Sequence, residues 1–133
     1  MMLINLLYTN NWIRDNQNDL FAKFDIKVQH FNILRILKGR YPDVATPGEI
    51  KDVMIDKAPD LTRLIDKLTK LALVERYTCK ENRRNVNIKI TKEGISLLDQ
   101  ILKDMQPFEK RLESKISADE AALLSSLLDK LRE

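Results

Sequence analysis

The chain has 133 residues, of which 44% are hydrophobic and 32% charged, and a formal net charge of +3, so its size and composition favour one domain with a hydrophobic core. Its single cysteine and single histidine exclude a disulfide framework and a zinc ligand set built from these residues, and we expect neither a metal nor another cofactor. The longest apolar run near the start, Met1–Tyr8, is short and interrupted by Asn5, so we expect no signal peptide, no membrane span and a cytoplasmic protein.

Basic residues are concentrated in one part of the chain. Between Lys57 and Lys92, ten basic side chains accompany four acidic ones, a net charge of +6, whereas Glu93–Glu133 has a net charge of −3. A cationic segment beside a mildly anionic one is typical of a protein that binds a polyanion. A lysine-rich solvated surface explains the charge distribution equally well, so other features must decide between the two.

The first part of the chain is predicted to be helical. Only three glycines and four prolines are present in the whole sequence, which favours long helices with short connections. We predict one helix from about Leu3 to Ala22 and a second from about Val28 to Lys38. The second is apolar around most of its circumference, as expected of a central buried helix.

A helix-turn-helix is predicted next. Residues 46–49, Thr-Pro-Gly-Glu, form a capping box that opens a short helix ending near Ile55. From Asp60 to Ala72, apolar residues at helical spacing occupy about 120° of arc, which leaves a basic face on the opposite side. Two short helices joined by a tight turn, with a basic outer face on the second, indicate a helix-turn-helix.

A β-hairpin follows the second of these helices. Residues 73–80 end in β-preferring side chains, and residues 86–90 alternate between apolar and polar, a pattern typical of two strands. Their connection, residues 81–85, presents Arg83 and Arg84 at the predicted tip. A helix-turn-helix followed by a basic hairpin is a winged helix.

The C-terminal part is predicted to form two amphipathic helices. A long helix from about Lys92 carries a heptad-like apolar stripe, and Pro107 is expected to kink or break it near Asp104. Residues 117–120, Ser-Ala-Asp-Glu, form a second capping box that opens the last helix. These apolar stripes would remain in contact with water on a small winged core, so they imply a partner.

This order of elements resembles the MarR family of bacterial transcriptional regulators, which are homodimeric winged-helix proteins. His30–Leu37 is similar to the family's leucine-rich second helix, Thr62–Leu68 to its T/S-R-L-[VI]-D-[RK]-L recognition helix, and Leu73–Arg76 to its entry into the wing. The family's wing signature is matched by Asn82-Arg83-Arg84, Ile88, Ile90, Thr91 and Gly94.

Two positions depart from the family pattern. Asn82 stands where the family usually has an aspartate that holds the wing arginine, although an asparagine also accepts hydrogen bonds. Ala72 replaces the glycine that normally ends the recognition helix, and we expect the helix to be moved or lengthened at this end.

The resemblance implies a mainly α fold with a small β-hairpin wing, in which residues 1–24 and 93–133 form dimerisation helices and residues 25–92 form the DNA-binding lobe. It implies a regulator that binds a pseudo-palindromic operator in double-stranded DNA as a homodimer, as a ligand-responsive repressor. The alternative is a winged-helix module for protein contacts without specific DNA binding. An enzyme is not expected, because the sequence has no nucleophile–base pair, metal-ligand cluster or phosphate-binding glycine loop.

The residues predicted to contact DNA lie on the recognition helix and the wing tip. We expect Arg63 to be the main contact in the major groove, Arg84 to enter the minor groove, and Asp66 to pair with Arg63 or Lys70. A solvated basic helix face and a merely soluble tip are the alternatives. The full set is Thr62, Arg63, Lys67, Lys70, Arg83 and Arg84.

Other candidate residues serve dimerisation and ligand binding. The predicted dimer contacts, for which packing within the chain is the alternative, are Leu3, Leu7, Leu98, Leu102, Leu124, Leu128 and Leu131. Family members often bind small aromatic or anionic effectors, for which the candidate residues here are Tyr8, Trp12 and Phe31, with core packing as the alternative. We interpret Cys79 as structural and His30 as a hydrogen-bonded packing residue.

Overall fold

A computed structural model of the chain describes residues 1–55, 60–78 and 86–133. Within these ranges the fold is mainly helical with one antiparallel hairpin, which confirms the predicted fold class. The elements are α1 (Met2–Ala22), α2 (Val28–Arg40), α3 (Pro47–Val53), α4 (Leu61–Lys70), β1 (Val74–Thr78), β2 (Val86–Ile90), α5 (Lys92–Lys115) and α6 (Ala118–Arg132).

The helices α3, α4 and α6 begin at residues whose side chains accept hydrogen bonds from free backbone donors. Ser117 and Glu120 form the reciprocal capping box predicted for α6, with hydrogen bonds of 3.1 and 2.9 Å. At α3, Thr46 Oγ1 accepts a 3.2 Å hydrogen bond from the Glu49 N–H. The Glu49 carboxylate does not complete a box there, because it pairs with Arg40 of α2.

The core is built around α2, as its apolar circumference predicted. α1, α3, α4 and β2 all contact this helix, and the ring of Phe31 stacks on that of Phe21 with centroids 5.0 Å apart. Each fully buried aliphatic or aromatic side chain contributes roughly 1.5–3 kcal/mol to folding. Among the buried residues are Phe21, Ile33, Leu34, Leu37, Ile50, Ile65, Leu68, Ile88, Leu98 and Ile101.

The second strand of the hairpin is hydrogen-bonded along both of its edges. Val74 pairs with Ile90 and Arg76 with Ile88 in an antiparallel register. Ala45, in the connection between α2 and α3, exchanges two backbone hydrogen bonds with Ile88, of 2.9 and 2.8 Å. This bridge attaches the helix-turn-helix to the second strand of the wing.

α4 ends at Lys70, so the expectation that Ala72 moves or lengthens this helix is wrong. Leu73 N–H donates to the Leu68 carbonyl at 2.9 Å and Ala72 N–H to the Thr69 carbonyl at 3.0 Å, the pair of bonds that closes a Schellman turn. Ala72 has a φ of 60°, in the left-handed region that favours glycine. The two bonds and the buried Leu73 side chain impose this conformation, although it costs an alanine about 1–2 kcal/mol.

Thr91 fastens the end of α4 to the start of α5. Its hydroxyl donates to the Ala72 carbonyl at 2.7 Å and accepts from the Gly94 N–H at 3.0 Å, and its own N–H donates to the Leu73 carbonyl at 3.0 Å. A Cβ atom on Gly94 would lie 2.2 Å from the Leu73 carbonyl oxygen and 2.7 Å from Ile90 Cγ1. Only glycine therefore fits at this crossing without movement of the backbone.

α5 is continuous from Lys92 to Lys115 and contains Pro107, so the helix does not break near Asp104, and a kink there stays a prediction. A proline removes one backbone donor and crowds the preceding turn, and the helical hydrogen bonds on either side are sufficient to continue the helix.

Met1–Ile101 forms one compact unit and Leu102–Glu133 another. Across the described ranges, no helix combines the length and the apolar character that crossing a membrane requires.

We predict that Gly94→Ala lowers the free energy of unfolding by about 1–3 kcal/mol, because the added methyl group overpacks against backbone. Chemical denaturation followed by circular dichroism measures this change. Gly39→Ala is the matched control: a Cβ there meets nothing within 4 Å, and the same exchange in an exposed helix is neutral or stabilising. Equal stability of the two variants would contradict the close approach at Gly94.

Candidate nucleic-acid interface

The candidate interface is built on the outer face of α4. Ile65 and Leu68 are buried against the rest of the winged core, so the opposite face of the helix points outward. Thr62 and Arg63 lie in its first turn and are exposed. Asp60 sets this start, since its Oδ1 accepts a 3.4 Å hydrogen bond from the Arg63 N–H.

Three of the four predicted α4 residues form one basic strip, beside Thr62. Positions 63, 67 and 70 are separated by four and three residues, so they share a helix face. Lys70 is exposed in the last turn, where a cation interacts favourably with the helix dipole. Lys67 is half-buried, and its Nζ lies 3.6 Å from Oδ1 of Asp25, in the turn between α1 and α2. Over the described part of the chain, the guanidinium of Arg63 has no ion-pair partner.

The prediction that Asp66 pairs with Arg63 or Lys70 is wrong, because its partner is Arg76 of β1. Helical spacing alone cannot reveal this partner, because the contact depends on how the hairpin packs beside α4. The alternation of side chains along a strand does indicate which way Arg76 faces. It lies two residues after the buried Val74 and therefore on the same face of β1. The pair compensates the negative charge of Asp66 and joins α4 to the wing.

The predicted wing-tip contacts remain predictions. Arg83, Arg84 and Asn82 lie outside the described residues, as does Cys79. The described strands, β1 and β2, pair as an antiparallel hairpin that follows α4 in the chain.

His30 lies near the basic strip and is 3% exposed. Its Nδ1 accepts a 2.9 Å hydrogen bond from the Lys27 N–H, in agreement with its predicted packing role. Burial lowers the pKa of His30 from 6.5 to about 4; the charges of Lys67 and Lys27 also lower it, and Asp25 opposes the shift. The imidazole is therefore neutral at physiological pH and adds no charge to the strip.

The predicted ligand residues do not share one environment. Phe31 is buried and stacked on Phe21, whereas Tyr8 and Trp12 are exposed on α1. A cavity of about 370 Å³ opens elsewhere, between α1 and the start of α2, and Arg14 and Lys27 are among its lining residues. None of the three predicted ligand residues lines it.

Most of the predicted dimer leucines are exposed. Leu3 and Leu7 of α1 and Leu124 and Leu131 of α6 are each at least half exposed, Leu102 is exposed to a smaller extent, and Leu128 is half-buried. Leu98, by contrast, is 1% exposed and packs in the core of its own chain. α1 and α6 expose four further apolar side chains that were not among the predicted contacts, Met2, Ile4, Leu123 and Leu127.

Comparison with known proteins identifies several similar regulators. The multiple antibiotic resistance protein MarR of Salmonella typhimurium is 30% identical, over 95% of this chain and 88% of its own length. The transcriptional regulator PecS of Dickeya dadantii is 27% identical, over 98% of this chain and 80% of its own length. The crystal structure of a mutant MarR from Escherichia coli in complex with operator DNA has a TM-score of 0.81 at 28% identity, over 98% of this chain and 94% of that one. No family model matches the chain.

We predict that His30 makes the fold acid-sensitive. Because its pKa is about 4 in the folded chain and 6.5 in the unfolded one, the unfolded chain binds the proton first as the pH falls. Stability due to the neutral imidazole is complete above pH 6.5 and decreases on the order of 3 kcal/mol by pH 4. Denaturant titrations at several pH values should show a smaller loss for His30→Asn, which keeps an acceptor but does not titrate. Parallel pH profiles for the two proteins would contradict the assignment.

Proposed function

The chain belongs to the MarR family of transcriptional regulators, and we propose that it binds double-stranded DNA as a homodimer. In this proposal its target is a pseudo-palindromic operator, and it acts as a ligand-responsive repressor. Membership of a family of regulators also confirms that the chain is not an enzyme. The exposed basic face of α4 is the observation that carries the DNA-binding proposal.

In this proposal α4 enters the major groove with its N-terminal turn foremost. A side chain can contact base edges only if it is exposed and long enough to reach the groove floor, and a guanidinium matches the two acceptors on a guanine edge. Arg63 meets these requirements, since it is exposed in the first turn and its guanidinium has no ion-pair partner in the described ranges. Thr62 beside it offers a hydroxyl to a base or a phosphate.

The remaining cations are proposed to bind the DNA backbone. Each neutralised phosphate releases counterions, which supplies much of the affinity and makes it dependent on salt. Lys67 and Lys70 extend the strip along α4 toward the flanking phosphates, and Arg83 and Arg84 of the wing enter the adjacent minor groove, whose narrow A·T-rich stretches attract guanidinium groups.

The homodimer is proposed to form through the terminal helices. No residue of α6 is buried in the single chain. Four of its leucines are exposed to water. The first half of α1 likewise exposes Leu3 and Leu7. Apolar surface of this extent is unfavourable in water, and two-fold pairing of identical surfaces removes it and places two recognition helices about one DNA turn apart.

The proposed effector is a small aromatic or anionic molecule. Arg14 and Lys27 give the cavity between α1 and α2 two basic side chains, and a carboxylate or similar anion would complement them. Binding would release DNA by stabilising a dimer geometry in which the recognition helices no longer match the groove spacing.

We predict that Arg63→Ala weakens binding by about 1–3 kcal/mol to a duplex selected from a random pool, because it removes a base-edge contact. Fluorescence anisotropy measures the affinity. Arg35→Ala, at an exposed position on α2 outside both the helix-turn-helix and the proposed dimer helices, is the control and is expected to leave the affinity unchanged. Equal affinities of the Arg63→Ala variant and the wild type would contradict the role of Arg63. If the wild type bound no duplex DNA even at low salt, the result would favour the alternative, a winged-helix module for protein contacts.

We predict that the wild-type chain sediments at twice its mass of 15.5 kDa and that Leu124→Glu shifts it to the single-chain mass. The leucine is 50% exposed in the single chain, so a glutamate there leaves the fold intact but introduces a desolvated charge into the proposed interface. Val53→Glu, at another exposed apolar position on α3, is the control and is expected to remain dimeric. A wild-type chain that sediments at 15.5 kDa would contradict the homodimer.

A further inference from the structure

An acidic side chain from outside the helix-turn-helix contacts the basic strip of α4. Oδ1 of Asp25, between α1 and α2, lies 3.6 Å from Nζ of Lys67. The Asp25 side chain is 87% exposed and that of Lys67 39% exposed. One of the cations proposed for DNA binding is therefore already in contact with an anion of its own chain.

The position of Asp25 is determined by the backbone around it. Its φ is 57°, a left-handed conformation that aspartate tolerates better than most residues. Its N–H donates to the Ala22 carbonyl at 3.1 Å, and Ile26 N–H donates to the Phe21 carbonyl at 3.3 Å. Phe21 and Ile26 are both buried, so the turn is anchored in the core on either side and holds the carboxylate beside α4.

The ion pair does little for the stability of the fold. An ion pair at the protein surface contributes at most about 1 kcal/mol to stability. Phosphate oxygens compete for the same ammonium when DNA arrives, and they lie in a much denser array of negative charge. A weak internal partner can lose this competition, so Asp25 lowers the contribution of Lys67 without abolishing it.

Asp25 and Asp66 therefore act on the strip in opposite ways. Asp66 belongs to α4 itself, and its pair with Arg76 of the wing removes a charge that would repel phosphate. Asp25 comes from another part of the chain and partly compensates a charge that would attract phosphate. His30, whose pKa is lowered in part by the charge of Lys67, is neutral and does not alter this balance.

Resting on the proposed DNA-binding function, we propose that Asp25 is a positioning residue that competes with DNA phosphate for Lys67 and so limits the affinity of the recognition helix for DNA. The competitor is supplied by the turn that ends α1. Removal of its charge frees Lys67 to release counterions fully on binding, which increases both the affinity and its dependence on salt.

The test compares Asp25→Asn with the wild type on a labelled duplex of about 30 base pairs and random sequence, by anisotropy between about 50 and 200 mM salt. Asparagine is suited to the left-handed conformation, so the variant keeps the turn. We expect affinity to rise about two- to five-fold at low salt, the equivalent of up to about 1 kcal/mol, and the slope of log K against log salt to become steeper by up to about 0.9.

Two further variants show whether the effect acts through Lys67. Asp19→Asn removes an equal charge from an exposed position on α1 that has no ion-pair partner in the described ranges, and it is expected to leave the slope unchanged. In a Lys67→Gln background, Asp25→Asn is expected to lose its effect on both affinity and slope.

The outcomes separate this proposal from the proposed function. If the wild type binds the duplex but Asp25→Asn and Asp19→Asn behave alike, or if the effect of Asp25→Asn persists in the Lys67→Gln background, only the role of Asp25 is overturned. If the wild type does not bind duplex DNA even at low salt, the proposed function is overturned and the role of Asp25 with it.

Discussion

The burial of one face of α4 against the winged core orients every side chain of the candidate interface on that helix. Ile65 and Leu68 are almost completely withdrawn from water, and this burial fixes the orientation of a ten-residue helix on the core. Because helix geometry fixes the angle between successive side chains, the same burial directs Arg63 outward. The basic strip is thus a consequence of apolar packing on the other side of the helix.

Both ends of α4 are also positioned by specific hydrogen bonds. Asp60 caps its start, and at its other end Ala72 accepts a left-handed conformation so that Thr91 can join the turn to α5. Gly94 leaves room for this crossing. These contacts explain in physical terms why a threonine and a glycine follow the second wing strand at this spacing: one supplies the hydrogen bonds, and the other allows two backbones to approach.

Charge on the strip is determined by partners from other elements. Asp66 is compensated by a strand residue and Lys67 is partly compensated by a turn residue, while burial keeps His30 neutral. Since exposed ion pairs contribute little to stability, these pairings matter more for what the surface presents to a polyanion than for folding. The net charge of the segment alone does not reveal which cations remain available to DNA.

Features that depend on neighbouring residues could be predicted from the amino-acid sequence alone: the helices and strands, the capping residues, the apolar face of α4 and the candidate DNA contacts on that helix. The partners of Glu49 and Asp66 and the burial of Leu98, by contrast, depend on how the elements pack together. The two groups of features differ in the range of the contacts that produce them. Hydrogen bonds and periodicity within one helix act over three or four residues, whereas these contacts join elements whose relative placement comes from packing of the whole core.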